Sequence, residues 1–163
     1  MNALLWPNLG YRDAPAAMRF LVSAFGFEEL VVYPRGIDGT IGHAVLRWPR
    51  GGLVALYSVE SGRTSIADLA TKAAADGGYP AYSVHVETDE PDLLFARAVA
   101  AGAVVVREIA DSPLGTRGFI VRDPEGLYWS FGTPLPRLVR DAEGQWRPPA
   151  DPGPAARTPR GGP

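Results

Sequence analysis

Met18, Leu21, Val22 and Phe25 recur at the three- and four-residue spacing of a helix with one buried stripe, with polar or small residues between them. Asp13 stands before the stripe as an N-cap, and Pro15 sits in the first turn, where its missing N–H costs nothing. Gly26 follows as a residue that tolerates left-handed geometry, so the spacing predicts a helix from about Ala14 that stops there. Around it the pattern changes to short apolar runs bounded by turn formers: Leu4 to Tyr11, Phe27 to Tyr33, Gly42 to Trp48 and Leu53 to Val59. Pro49-Arg50-Gly51-Gly52 separates the last two as a hairpin turn. The predicted order is strand, helix and three strands.

The same order returns further on. Asp13, Pro15 and Gly26 recur as Asp89, Pro91 and Gly102, each at an offset of 76 residues. A strand is predicted at Ala81 to Glu87. A helix from about Pro91 to Ala101 follows, with Leu94, Phe95, Ala98 and Val99 inward, then strands Val104 to Ile109, Gly118 to Arg122 and Leu127 to Gly132. Asp123-Pro124-Glu125-Gly126 makes the tight turn between the last two. The reading is an α+β fold of two βαβββ modules, about 3–60 and 80–133, whose sheets curve around a cleft with helices on the outer face. A linker at 61–79 with a short helix over Ile66 to Ala75 joins them. After residue 133 the composition shifts. Residues 148–163 hold six prolines and three glycines, too few apolar groups to offset ordering entropy, so 134–163 reads as a flexible tail.

Composition narrows the chemistry. With 163 residues and 46% hydrophobic content, the chain suits one domain with an internal duplication. A formal net charge of −2, with scattered Lys and Arg, gives no reason to expect nucleic acid or an anionic membrane as partner. The apolar runs are all shorter than a membrane span, and the cytoplasm is the expected address. There is no cysteine, so any metal would rest on carboxylates, water and the two histidines, His43 and His85. Neither a Gly-x-Ser-x-Gly elbow nor a phosphate-binding glycine loop is present.

Residues Tyr11 to Ala17, Ala24 to Glu28, Gly115-Thr116-Arg117-Gly118-Phe119, and Asp123-Pro124-Glu125-Gly126 followed by Trp129-Ser130-Phe131-Gly132 together resemble the vicinal oxygen chelate superfamily, in particular its glyoxalase, bleomycin-resistance and dioxygenase members. The resemblance covers roughly residues 3–133. In metal-dependent members it implies a ligand in each first strand and each last strand, holding a divalent ion as a Lewis acid. Those slots fall here on Trp6, at or beside Ala55, between Ala81 and Ser83, and on Ser130, none of them a conventional ligand.

The resemblance also implies which faces line the cavity: Trp6, Asn8 and Gly10, then Leu53, Ala55 and Tyr57, then Tyr128 and Ser130, by strand parity. Trp6 and Tyr57 suit stacking on a planar ligand, while Asn8, Ser83 and Ser130 suit orienting it; equally, they fill a small cavity and satisfy backbone groups. His85 shares the face of Ser83. It is either a ligand-facing group or a half-buried histidine bonded to a neighbour. His43 is also open, between a solvent- or dimer-facing placement and a cavity position. Arg117 is placed to meet a ligand carboxylate, or is paired structurally, for instance with Asp123 or Glu125. Asp123 reads as a turn residue and Trp129 as core.

The expected function is a metal-free, homodimeric small-molecule-binding protein of the bleomycin-resistance kind, sequestering a partly planar ligand and needing no cofactor. The alternatives are a lyase, isomerase or dioxygenase with a displaced divalent metal at His85 or His43, and a non-catalytic dimeric interaction domain.

Overall fold

The computed structural model describes residues 5–35, 38–59, 83–113, 115–135, 139–140 and 144–147. The first module runs β1 (Asn8–Tyr11), α1 (Ala14–Phe20), a π-helical turn (Leu21–Phe25), β2 (Glu28–Pro34), β3 (Ile41–Arg47) and β4 (Leu53–Ser58). The second runs β5 (Val84–Glu87), α2 (Pro91–Ala100), β6 (Val104–Asp111), β7 (Arg117–Arg122) and β8 (Tyr128–Gly132). Each module folds its strands into one mixed sheet, ordered β1-β4-β3-β2 and β5-β8-β7-β6. In both, the first strand pairs parallel with the last, and the helix provides the crossover. The fold is therefore α+β with the predicted duplication. The expected helix at Ile66 to Ala75 lies outside the described residues. Within the stretch expected to be a flexible tail, β9 (Val139–Arg140) pairs antiparallel with β10 (Trp146–Arg147).

The Asp13 side chain caps α1 by accepting from the Ala16 N–H at 2.9 Å, and Gly26 ends the segment at φ 90°. The inward stripe differs from the expected one. Ala14, Ala17, Phe20, Leu21, Ala24 and Phe25 are buried, while Met18 and Val22 are only partly covered. Ala14, Ala17, Leu21, Ala24 and Phe25 keep the three- and four-residue spacing, so the helix has the expected period but is rotated to bury its Phe20 and Ala24 flank, with Met18 and Val22 at the edge of the stripe. On α2, Leu94 and Ala98 are buried as expected and Phe95 is partly so, but Val99 is 42% exposed, since the contact face of this helix is narrow.

Both modules contribute to one core. Phe25 and Phe27 of the first pack on Trp129 of the second, and Phe25 also packs on Phe131. Leu9, Leu46, Leu56, Phe119 and Val121 complete it on the helix-bearing faces of the two sheets. The hairpin turn of each module then pins the helix entry of the other. Asp123, 3% exposed, accepts from the Tyr11 hydroxyl at 2.8 Å and the Trp129 indole N–H at 3.1 Å. Glu125 accepts from the backbone N–H groups of Arg12 and Asp13, both at 2.8 Å. Reciprocally, the Trp48 indole donates to the Glu87 carbonyl at 2.9 Å and Arg50 pairs with Asp89. Trp48 and Arg50 stand 75 residues before Asp123 and Glu125, so the lock repeats with the duplication. Arg97 of α2 adds a clasp by donating to the carbonyls of Ala24 and Phe25.

Glu125 in effect supplies a cap to α1 from the other module. Replacing it with alanine leaves two N–H groups at the helix entry without their acceptor. We expect Glu125→Ala to destabilise the protein by about 1–2 kcal/mol in urea denaturation, with Glu125→Gln recovering part of the loss.

Candidate functional site

The strand pleat divides each sheet into a helix-bearing face, which is core, and an open face. In the first sheet the open face holds Asn8 opposite Ala55, Ala55 opposite Val45, and Val45 opposite Val31. One step along, Gly10 lies opposite Tyr57. In the second sheet the matching row is His85, Ser130, Ile120 and Arg107, each beside the next on neighbouring strands. The adjoining row is Glu87, Gly132, Gly118 and Ala110, almost bare of side chains.

That bare row creates a cavity. A space of about 240 Å³ lies over Gly118, Gly132 and Ala110, walled by His85, Ser130 and Arg107 and closed at its rim by Ser112, Pro113, Thr116 and Leu135. The His85 Nδ1 lies 3.1 Å from the Ser130 hydroxyl, so either atom can donate while the other accepts. Of the expected ligand-facing residues, this cavity brings together His85 and Ser130. Asn8 and Tyr57 share the open face of the other sheet. Trp6 precedes β1 and is 41% exposed, and Ser83 is exposed just before β5. Tyr128 lies opposite Arg122 on the open face, with the guanidinium carbon 5.8 Å from its ring centroid. A smaller crevice of about 130 Å³ marks the seam between modules, lined by Pro7, Leu53, Val84, His85 and Val86.

Arg117 is paired structurally, with partners other than Asp123 or Glu125. Its guanidinium donates to both carboxylate oxygens of Asp92, at 2.8 and 2.7 Å, and to Asp111 at 3.1 Å. Those bonds raise its pKa and lower that of Asp92. With its fork filled, Arg117 is not available to receive a ligand carboxylate. Asp123 is a turn residue as expected, also accepting from the N–H groups of Glu125 and Leu127. His43 is half-buried and stacks on Tyr33 at 6.5 Å between centroids, in the sheet that does not contain His85.

Arg107 is the site residue that strand parity misassigns. Regular alternation from Val105, which faces the core opposite Val121, would put Arg107 on the core face too. The register shifts between Val105 and Arg107, and this bulge turns Arg107 onto the open face opposite Ile120. The first module carries the same shift between Glu29 and Val31, which is the signal in the duplication that marks it.

A family model described as the Glyoxalase/Bleomycin resistance protein/Dioxygenase superfamily matches residues 3–131. The chain belongs to this superfamily. An uncharacterized protein of Mycobacterium bovis is 34% identical over 137 residues, covering 84% of this chain and 87% of that protein. Among solved structures, TioX from Micromonospora sp. ML1 is similar at 34% identity and a TM-score of 0.61, covering 82% of this chain and all of that one, 100%. A glyoxalase-related enzyme from Fulvimarina pelagi shares the fold at 19% identity and a TM-score of 0.56, over 90% of this chain and 98% of that chain.

Superfamily membership raises the question of a divalent metal, and the residues present do not fit one. Ala55, fully buried, has no donor, and its counterpart Ser130 is bonded to His85. Trp6 offers no ligating atom, and Ala81 lies outside the described residues. Among the described residues no group of three or more His, Asp or Glu side chains is close enough to hold an ion. Nor is any described helix long and apolar enough to cross a membrane.

Proposed function

We propose that this superfamily member is a small-molecule-binding protein that holds a partly planar ligand on the open sheet faces without a metal, so that binding is its activity. The observation that carries this reading is the glycine-floored cavity walled by His85 and Ser130. It is concave, contains convergent polar groups, and offers no donor set for a cation. Asn8 and Tyr57 on the first sheet's open face provide a second, largely apolar wall of the same kind. We take the working unit to be a homodimer. In support, the cavity is lined by one module only, and Leu30 and Tyr33 leave large apolar surfaces on the edge strand β2, 51% and 60% exposed.

The test compares binding before and after chelation. Protein dialysed against EDTA should bind planar aromatic ligands as well as untreated protein, and added Mn, Fe, Co, Ni or Zn should leave its melting temperature unchanged. A ligand at a hundred times its Kd should stabilise the fold by about 2.7 kcal/mol. Stoichiometric bound metal, with ligand affinity lost on its removal, would overturn the reading.

A further inference from the structure

Two guanidinium groups, Arg107 and Arg122, stand on the open face of the second sheet, and among the described residues neither is paired with a carboxylate. Arg122 has a buried Nε without a hydrogen-bond partner. Arg122 stands over the Tyr128 ring outside the cavity, so of the two only Arg107 lines it. Two carboxylates are near. Asp111 at the cavity rim is engaged by Arg117, and Glu87 projects from the far end of the glycine row. The matching row of the first module, Asn8, Ala55, Val45 and Val31, carries no charge. The duplication has therefore given one apolar wall and one cationic wall. The equivalent bulge in each module turns one edge-strand residue onto the open face, Val31 in the first and Arg107 in the second, so the residue type at that position makes the second wall the cationic one.

Resting on the binding reading above, we infer that the ligand is a small planar monocarboxylate, gripped through its carboxylate by Arg107. The guanidinium fork matches a carboxylate in a two-bond contact. Arg107 and Ser130 stand two strands apart, a span of roughly 10 Å, so a ligand held by Arg107 lays its ring over Gly118 on the cavity floor and reaches the His85–Ser130 pair with its other end. A dianion such as phosphate fits less well, because Asp111 and Glu87 oppose a second negative charge. The volume, about 240 Å³, is below the usual range for drug-sized ligands and suits a single-ring acid.

The probes are trans-cinnamate and trans-cinnamamide, which share a shape and differ in charge, titrated into isotope-labelled full-length protein. Cinnamate should shift the amide resonances of Gly118, Ser130 and Gly132 saturably, with the amide binding about tenfold more weakly. The preference should shrink as salt is raised. Arg107→Met should erase it by weakening cinnamate alone, and Arg107→Lys should keep part of it. Equal binding of the two compounds, or a preference that survives Arg107→Met, overturns the carboxylate assignment and leaves the binding reading standing. No saturable shift with either compound overturns the assignment; silence across a panel of neutral planar ligands as well strikes the binding reading itself.

Discussion

Asp123→Ala is expected to cost the fold about 3–5 kcal/mol, a large share of the roughly 5–15 kcal/mol that holds a domain of this size together. The substitution removes the acceptor for four donors: the Tyr11 hydroxyl, the Trp129 indole and the N–H groups of Glu125 and Leu127. Each buried donor left without a partner costs about 1–3 kcal/mol. The Tyr11 bond also joins the two modules, so its loss weakens their alignment as well as the turn. The carboxylate itself is held at some expense. Desolvation raises its pKa above 3.8, and the four bonds, led by that from Trp129, only partly oppose this. A folded-state pKa above the unfolded one means that the folded state binds the proton more tightly. The contribution of this group is therefore fully present below the ordinary carboxyl value and declines as pH rises through the folded-state pKa. Urea denaturation of wild type and Asp123→Asn across acid pH should show the wild-type advantage largest at the acid end. An advantage that grew with pH would contradict the assignment.

The parts of this fold readable from sequence are those set by neighbours along the chain. Asp13, Pro15 and Gly26 mark the first helix through local capping and backbone preference, and the duplicate marks at Asp89, Pro91 and Gly102 give the second. Parity grouped Asn8 with Gly10, Ala55 with Tyr57, Ser130 with Tyr128 and His85 with Ser83, because a regular strand needs only alternation, and the family resemblance supplied which of those faces look into the cavity. Failures occur where local pattern does not decide orientation or where the period breaks. The helical spacing left open which flank of the first helix turns inward, and Phe20 and Ala24 are buried in place of Met18 and Val22, while the bulge puts Arg107 on the open face. Long-range polar pairs were equally hidden. Nothing near Glu125 in the chain indicates that it accepts from Arg12 and Asp13, and Arg117 found Asp92 and Asp111 by tertiary proximity.

On the proposed binding reading, Gly132→Val should weaken ligand binding far more than it weakens the fold. Gly132 is in extended backbone without a positive φ, which valine adopts readily, and its missing side chain helps to form the cavity floor. A Cβ there would approach the Arg117 carbonyl to 3.3 Å and the His85 ring to 3.9 Å, so the strand needs only a small adjustment and the methyl groups enter the ligand space. We expect a stability cost within about 1–3 kcal/mol and an affinity loss of roughly a hundredfold. Gly118, its partner across the strands, behaves differently. A Cβ there would sit against the Phe131 carbonyl oxygen, so Gly118→Ala should disturb the β7–β8 ladder itself. The contrast separates two roles within the bare row: at Gly118 the strands require the absence of a side chain, and at Gly132 the proposed ligand would. Equal binding by wild type and Gly132→Val, measured by titration of a planar ligand against folded protein, would place the ligand elsewhere on the molecule.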